Sequence, residues 1–316
     1  MPRKEKEEPK PFETLFQTAI IMHSMGKNDL AQPLIEKALE LEPNNLDALK
    51  IAGLVSIALV QIDEAISYFD RMLEIDPKNE VALITKSVAY MATGNYEKVI
   101  EASIKAMEVY PNNSDAYVPY GSALMNLGRF DEALDTFNKM LSMSPGNVDA
   151  INFKAEIYAK SGKLETALQT YTFLLEKAPK RKSAWYQMGR INETLNNPQD
   201  ALDAYENYLG SFNTYGDISR DNTGILALYR KGFLLVELGE SDKALRVAKN
   251  LLNMVSDSAT AYYIAAIAEA KRGKTSRSLK NLKKCIEINV DYKKEATTDK
   301  NFEKIKDLAE FKSLIM

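Results

Sequence analysis

The stretch LEPNNLDAL, from Leu41 to Leu49, decides the fold because variants of it recur along the chain at a fixed interval. The junction returns as IDPKNEVAL from Ile75, VYPNNSDAY from Val109, MSPGNVDAI from Met143 and KAPKRKSAW from Lys177. Its prolines, Pro43, Pro77, Pro111, Pro145 and Pro179, stand 34 residues apart. A repeat of this length predicts an array of similar structural units.

Each copy of this junction is predicted to end one helix and begin the next. Proline cannot continue a helix, so it ends the second helix of one repeat. An asparagine two residues later can cap the helix that follows, and a nearby acidic residue suits the positive end of that helix. The capping asparagines are Asn45, Asn79, Asn113 and Asn147.

The remaining columns of the repeat predict two helices joined by a turn. We count positions from Phe12, which is position 1 of the first repeat, so that the junction proline is position 32. Glycine at position 15 ends the first helix in most repeats, and position 24 is mostly large. Position 20 holds Ala31, Ala65, Val99, Ala133, Ala167 and Ala201. Because small residues at positions 8 and 20 let two helices approach closely, each repeat is predicted to be a helical hairpin.

These columns resemble the tetratricopeptide repeat, which has a large residue at position 4, Gly or Ala at 8, Tyr at 11, Ala at 20, an aromatic residue at 24 and Pro at 32. The similarity is carried by Trp185 with Gly189, Tyr117 with Gly121, and Tyr90 and Tyr158 at position 11. The resemblance implies an all-α fold, namely a right-handed α-solenoid superhelix of stacked antiparallel helix pairs. About eight repeats and a C-terminal capping helix account for nearly the whole chain.

The register of the columns divides the chain into five segments. Residues 1–11 mix Lys, Glu and Pro and are expected to form a mobile charged tail. Repeats 1–6 occupy 12–215, an insertion occupies 216–224, repeats 7–8 occupy 225–292, and a capping helix is expected over 293–316. The insertion is interpreted as an exposed loop or an N-terminal extension of the seventh hairpin that separates six repeats from two.

The capping helix is predicted from apolar residues in the last segment. Phe302, Ile305, Leu308, Phe311 and Leu314 recur at every third residue. A terminal repeat needs a cover for its apolar side, and these residues are expected to provide it.

Composition indicates a soluble globular protein whose main partner is not nucleic acid. Lys and Arg number 41 against 44 Asp and Glu, which gives a net charge of −3 rather than a strongly basic chain. The apolar runs are too short to span a bilayer, so no membrane is expected as a partner. The chain has one cysteine and begins without an apolar core of the kind that secretion signals have, so a cytoplasmic location is expected.

No sequence motif predicts catalysis, and we expect neither an enzyme nor a cofactor. His23 is the only histidine, so a metal site built on a histidine pair is not possible. It is interpreted as lining the groove or facing solvent, and Cys285 as a small buried residue. No Walker-type phosphate loop and no dinucleotide-binding fingerprint occurs in the sequence.

The resemblance also implies a binding surface on the first helices. In tetratricopeptide proteins positions 2, 5, 9, 12 and 13 line a concave groove, which here is predicted to be apolar in repeats 2–4 and aromatic or polar toward the C-terminus. The predicted groove residues are Leu54, Ile57, Ile84, Val88, Met91, Val118, Met125, Tyr186, Arg190, Tyr229, Phe233 and Tyr263. The alternative is that packing between neighbouring first helices buries these side chains.

The sequence also bears on two other binding modes. A two-carboxylate clamp, which in this family holds the acidic tail of a heat-shock chaperone, needs Lys and Asn at positions 5 and 9, where Ile84 and Val88 stand in repeat 3. We therefore predict no clamp of this kind. The basic stretch from Lys271 to Lys284 could hold an acidic partner or RNA, or form a solvated outer face.

These observations favour an adaptor that binds an extended or helical segment of another protein in its apolar groove. A self-assembling structural oligomer and a regulatory subunit of an enzyme encoded elsewhere are the two alternatives. The partner itself cannot be named from the repeat, because fold alone does not give function.

Overall fold

The computed structural model describes residues 11–316, and over these residues the protein is built of helices without strands. The all-α class and the stacking of helix pairs are therefore confirmed. The tail predicted for residues 1–11 lies outside the described residues, apart from Pro11, which begins the first helix. The chain forms two compact units that divide between Ile157 and Tyr158. We call them the N-terminal unit and the C-terminal unit.

The N-terminal unit consists of four helix pairs and most of the helix that follows. Its helices are α1 (Pro11–Ser24), α2 (Asn28–Leu41), α3 (Leu46–Ala58), α4 (Ile62–Ile75), α5 (Glu80–Ala92), α6 (Tyr96–Val109), α7 (Tyr117–Asn126), α8 (Phe130–Met143) and α9 (Val148–Lys160), the last of which contains the division. A short 3-10 helix, Ser114–Ala116, runs directly into α7. Each helix of the first four pairs packs against its partner.

The C-terminal unit continues the pattern and ends with short helices. Its helices are α10 (Leu164–Lys177), α11 (Lys182–Thr194), α12 (Pro198–Gly210), α13 (Tyr215–Ser219), α14 (Asn222–Glu237), α15 (Ser241–Met254), α16 (Ala259–Lys271), α17 (Thr275–Ile288), α18 (Tyr292–Thr298) and α19 (Ala309–Ile315). Among residues 11–316, the sixteen helices α1–α12 and α14–α17 correspond to the first and second helices of the eight predicted repeats.

The junction sequences act as predicted. The side-chain oxygens of Asn45, Asn79 and Asn147 accept hydrogen bonds of 3.0 Å from the backbone N–H three residues later. Asn113 instead accepts from the N–H of Asp115 at 2.8 Å, and a 3-10 turn follows there. Each cap satisfies one of the donors that the beginning of a helix leaves unpaired.

Position 15 requires a left-handed backbone. Gly26, Gly94 and Gly128 have φ of +73°, +68° and +74°, and Val60 and Asn196 take the same conformation at this position in repeats 2 and 6. Val60 is a β-branched residue in a region that favours glycine, and it is the strained exception of the series.

A close contact between positions 8 and 24 sets the distance between the paired helices. A Cβ atom added to Gly53 or Gly121 would lie 2.6 Å or 2.5 Å from the ring of Phe69 or Phe137, respectively. Both rings are fully buried. The second helix therefore places an aromatic ring directly against the backbone of the first.

The insertion is folded and does not interrupt the stack. Thr214 and Asp217 form a capping box at the beginning of α13, and Ile218 of this helix is buried. Asp221 then caps α14 and accepts a hydrogen bond of 3.1 Å from the Tyr208 hydroxyl. α12 packs directly against α14, so the helices on either side of the insertion are in contact. α14 begins at Asn222, within the predicted insertion.

The C-terminal cap is not one helix. α18, a 3-10 helix (Lys300–Phe302) and α19 take its place, with Asp299 in an extended conformation between the first two. Phe302, Ile305 and Phe311 are buried, whereas Leu308 is exposed. Residues spaced by three drift around a helix of 3.6 residues per turn, so a single straight helix could not turn all five toward the core.

Replacing Gly121 with alanine tests the contact between positions 8 and 24. Alanine in a helix is ordinarily stabilising relative to glycine, but here its methyl group overlaps the Phe137 ring. We expect the free energy of unfolding, measured by urea denaturation, to fall by about 1–3 kcal/mol. Gly146→Ala is the matched control, because nothing lies within 4 Å of its added Cβ atom. Equal effects of the two changes would contradict this packing.

Candidate partner-binding groove

The predicted apolar groove residues of the N-terminal unit lie on neighbouring first helices. α1 contacts α3, α3 contacts α5, and α5 contacts α7, so these helices form a continuous layer. Leu54 and Ile57 lie on α3, Ile84, Val88 and Met91 on α5, and Val118 on α7. The structure thus brings these residues onto one layer, as expected from their positions in the repeat.

This layer is apolar and only partly covered. Val88 is 46 % exposed, and Val81, one turn or so before Ile84 on the same helix, is 42 % exposed. The other side chains named above are half-buried, and Ile57, Ile84 and Val118 also contact the core. Packing between first helices therefore covers part of each side chain and leaves the rest open. We call Leu54, Ile57, Val81, Ile84, Val88, Met91 and Val118 the apolar face.

Val81 is a member of the apolar face that the sequence analysis missed. It occupies position 2, one of the groove positions of the family, so its sequence position was the available signal. The same position holds Asp47 in repeat 2 and Asp115 in repeat 4, and both are exposed. The exposed valine is therefore flanked by acidic residues at the equivalent positions of the adjacent repeats.

Met125 does not belong to the apolar face. It is 7 % exposed and lies in a core cluster together with Leu124 and Phe137. An unbranched methionine side chain bends into irregular gaps in a core, which periodicity alone does not predict. The prediction that Met125 lines an open groove is therefore wrong.

In the C-terminal unit most of the predicted aromatic anchors are engaged in packing. The ring of Tyr186 lies 5.7 Å from that of Tyr205 and 5.4 Å from that of Tyr208, measured between centroids. The Tyr229 hydroxyl is hydrogen-bonded to the Ser258 hydroxyl at 2.9 Å. These contacts favour the alternative of interhelical packing in this unit. Arg190 is the exposed member of the predicted set here.

Tyr263 is a structural residue of the C-terminal cap. It is 1 % exposed, and its ring packs against Phe233, Tyr292 and Phe302. Its hydroxyl donates a hydrogen bond of 2.8 Å to the Asp299 carboxylate. Burial, followed by the bond to Asp299, raises the pKa of Tyr263 well above its ordinary value, so the phenol stays protonated. The prediction that Tyr263 lines the groove is wrong, because the C-terminal segment covers this position.

The side chains considered for chemistry have structural surroundings. The imidazole Nδ1 of His23 lies 2.7 Å from the Asn28 side-chain oxygen in the same repeat. Cys285 is fully buried, and burial raises its pKa to about 12, so the reactive thiolate is not formed at neutral pH. Within residues 11–316 no group of three or more His, Cys, Asp or Glu side chains is placed to hold a metal ion. Over the same residues no helix has both the length and the apolar character needed to cross a membrane.

Protein-family models match three parts of the chain. Tetratricopeptide repeat models match residues 24–80 and 128–191, and the model of anaphase-promoting complex, cyclosome, subunit 3 matches residues 61–140. No match was found among curated proteins.

Solved structures share the fold. A tetratricopeptide repeat protein from Parabacteroides merdae superposes with a TM-score of 0.59 at 16 % identity, over 82 % of this chain and 99 % of that chain. YrrB, described as a TPR protein with an unusual peptide-binding site, gives a TM-score of 0.52 at 21 % identity, over 61 % and 95 %. PilF of Pseudomonas aeruginosa gives a TM-score of 0.51 at 17 % identity, over 62 % and 89 %. Identities this low show a common fold alone.

The chain is a tetratricopeptide repeat protein. Members of this family are in general scaffolds for protein–protein interaction rather than enzymes. Their repeats place the small residues at positions 8 and 20 between the two helices of a pair, as seen here. In this tetratricopeptide repeat protein the residues of the apolar face occupy groove positions of the family in repeats 2–4.

Replacing Tyr263 with phenylalanine tests its assignment to the cap. The change removes the hydrogen bond from the buried Tyr263 to the half-buried Asp299 carboxylate. We expect the free energy of unfolding to fall by about 1–2 kcal/mol in thermal or urea denaturation. Tyr262→Phe is the control, because no hydrogen bond of the Tyr262 hydroxyl is present among residues 11–316. A Tyr263→Phe protein as stable as the control would contradict the assignment.

Proposed function

We propose that this protein is a non-enzymatic adaptor whose N-terminal unit binds a peptide or amphipathic helix of a partner protein. The observation that carries the proposal is the apolar face. Val81 and Val88 leave more than two fifths of their surface open on α5, next to half-buried Ile84 and Met91. A contiguous exposed apolar surface ordinarily marks an interaction site.

The chemistry of the face describes the segment that it fits. Side chains at positions 5, 9 and 12 of successive repeats offer an apolar surface for leucine- or isoleucine-type anchors spaced along a helix. Position 13 is Ala58 in repeat 2 and Ala92 in repeat 3, and both are exposed, so a partner backbone can approach these helices closely. Asp47 and Asp115 add negative charge at the margin. An amphipathic segment with an apolar stripe and flanking basic residues is the best match.

Specificity of this kind needs neither catalysis nor a cofactor, and we propose that the protein has no reaction of its own. No repeat of the N-terminal unit combines a lysine at position 5 with an asparagine at position 9, since Lys50 of repeat 2 is followed by Leu54. This supports a partner other than an acidic chaperone tail. We also keep the cytoplasm as the proposed location, supported by a chain with a single cysteine. A regulatory subunit held permanently on an enzyme would use the same face.

Self-assembly is the second candidate, and a separate observation favours it. Ile21, Met25 and Leu30 of the first repeat are each more than half exposed, so the described beginning of the array presents apolar side chains. A second copy could cover them. Light scattering on the purified chain separates the two candidates, since a monomer is expected for the adaptor and a defined oligomer for self-assembly.

The adaptor proposal is tested by placing charge on the apolar face. Val81→Glu with Val88→Glu changes two exposed side chains and leaves the core contacts of Ile84 in place. Burying a valine or isoleucine contributes about 1.5–3 kcal/mol, so recovery of the partner should fall at least about tenfold. The measurement is a pull-down from source cells followed by quantitative mass spectrometry.

A matched control uses exposed isoleucines of the second helices. Ile75→Glu with Ile104→Glu adds the same charge on α4 and α6, away from the apolar face. It should leave partner recovery unchanged, and circular dichroism should show native helicity for both double variants. Partner recovery that survives the two valine changes, or that is lost equally with the two isoleucine changes, would contradict the assignment of the binding face.

A further inference from the structure

The C-terminal unit contains an open cleft that the apolar face does not explain. It has a volume of about 930 Å³ and lies where three segments meet: the turn into α15 (Gly239–Lys243, with Arg246), the end of α16 (Ala270–Arg272) and the C-terminal segment (Lys300–Lys304). These residues lie at turns and helix ends of repeats 7 and 8. Only Ala270 and Lys271, at positions 12 and 13 of repeat 8, fall on first-helix positions that form the groove of this family.

The cleft is basic, and its acidic residues all form ion pairs whereas several of its basic residues do not. Six basic residues line it, Lys243, Arg246, Lys271, Arg272, Lys300 and Lys304, against three acids, Glu240, Asp242 and Glu303. Each acid already has a basic partner, since Glu240 pairs with Lys243, Asp242 with Arg272 at 3.0 Å, and Glu303 with Lys306. The acids are thus neutralised within the fold.

Three of the lining cations have neither an acidic partner nor a side-chain hydrogen bond. Arg246, Lys300 and Lys304 are exposed and form no ion pair or side-chain hydrogen bond with any of residues 11–316. Lys271, by contrast, donates a hydrogen bond of 2.6 Å to the Val236 carbonyl, and Arg272 is held by Glu269 at 3.1 Å as well as by Asp242. The cleft therefore retains a positive charge that the described protein does not balance.

Uncommitted hydrogen-bond donors lie in the same cleft. Ser241 is 7 % exposed, and its hydroxyl has no partner among the described residues although it lines the cleft. It is the first residue of α15, a helix of 14 residues whose N-cap, Glu240, makes no side-chain capping bond. The backbone N–H groups of Ser241 and Asp242 donate to no acceptor in the part of the chain that is described. A helix beginning of this kind favours an anion.

We propose that this cleft binds a phosphate monoester. The phosphate group carries a charge of about −1.5 to −2 at neutral pH and three acceptor oxygens. It therefore matches a site with three unpaired cations, the unpaired hydroxyl of a largely buried serine and two free N–H groups better than a single carboxylate does. The ester can be a phosphorylated side chain on a segment of another protein or a free phosphorylated small molecule, because the cleft is open and larger than the phosphate itself.

This assignment also divides the basic stretch found in the sequence. Lys271 and Arg272 belong to the cleft wall, whereas Arg277 lies 3.8 Å from Glu269 and Lys284 pairs with Glu287 at 3.3 Å on α17. The basic residues of the cleft come from three segments that are distant in sequence, and only two of these residues belong to the basic stretch.

The test is a binding titration on the full chain with defined probes. The probes are a short neutral peptide carrying one phosphoserine, the same peptide with serine, and inorganic phosphate, measured by calorimetry. We expect the phosphoserine peptide or inorganic phosphate to bind, and the serine peptide not to bind. A preference for the phosphoserine peptide identifies a protein segment as the source, and equal binding of inorganic phosphate identifies a small molecule.

Variants locate the binding. Lys300→Gln with Lys304→Gln, and Arg246→Gln alone, should each weaken phosphate binding about tenfold or more, because a charge-assisted contact is lost. Lys280→Gln with Lys283→Gln is the matched control, since it removes the same charge from exposed residues of α17 outside the cleft. In the wild-type chain, the amide resonances of Ser241 and Asp242 should shift on adding phosphate.

Two results would overturn the proposal. One is the failure of both phosphate-bearing probes to bind. The other is binding that the cleft variants and the α17 control weaken to the same extent, which would indicate diffuse charge attraction. The proposal is independent of the apolar face, so neither result bears on the adaptor function.

Discussion

The fold depends on the close approach of the two helices within each repeat. In repeats 2, 4 and 6 position 8 is a glycine, which has no side chain, and the aromatic ring at position 24 of the second helix packs directly against the backbone there. Gly53 with Phe69, Gly121 with Phe137 and Gly189 with Tyr205 show this contact, and in each pair an added Cβ atom would lie less than 3.0 Å from the ring. Interiors packed at this density tolerate little extra volume.

Four repeats have no aromatic residue at position 24: repeats 1 and 8 have Ile35 and Leu282, and repeats 3 and 7 have small residues. The small residues have local consequences. Repeat 3 has Ser87 at position 8 and Ser103 at position 24, and the core of the N-terminal unit divides into two clusters at this repeat. The Ser103 hydroxyl is buried without a hydrogen-bond partner among the described residues. In repeat 7 position 24 is Ala248, and Gly232 instead receives Ile264 from the first helix of the next repeat, 2.7 Å from an added Cβ atom. The space beside Gly232 is therefore filled by a residue of the next repeat.

Much of the fold was predictable because its signals are local and repeated. Helix ends follow from the junction prolines, the asparagine caps and the glycine turns, each of which acts within a few residues. The packing of the insertion and the division of the C-terminal segment into short helices were not predicted, because α13 packs on α14 and α15 and the buried Phe302 and Phe311 pack on the last hairpin. Such contacts occur once in the chain, so no column of the repeat reveals them.

The candidate sites also depend on contacts that the repeat pattern does not reveal. Positions within the repeat were sufficient to place Leu54, Ile84 and Val88 on one layer, but whether a side chain there is open depends on what covers it. Tyr263 is covered by the C-terminal segment, and Met125 bends into the core. The basic cleft could not be predicted, because Arg272 bridges Asp242 and Glu269 from separate helices. Such ion pairs between separate segments leave Arg246, Lys300 and Lys304 without an acidic partner, and the sequence does not show which residues pair.

A double-mutant cycle on Gly121 and Phe137 tests the central contact most directly. Gly121→Ala, Phe137→Leu and the double variant would be compared with the wild-type chain by urea denaturation. If the ring packs on the bare backbone, the smaller leucine leaves room for the added methyl group. The double variant should then be more stable than the sum of the single effects predicts, by about 1 kcal/mol or more. Strictly additive effects would contradict the account, since they would mean that the two positions do not share the same space.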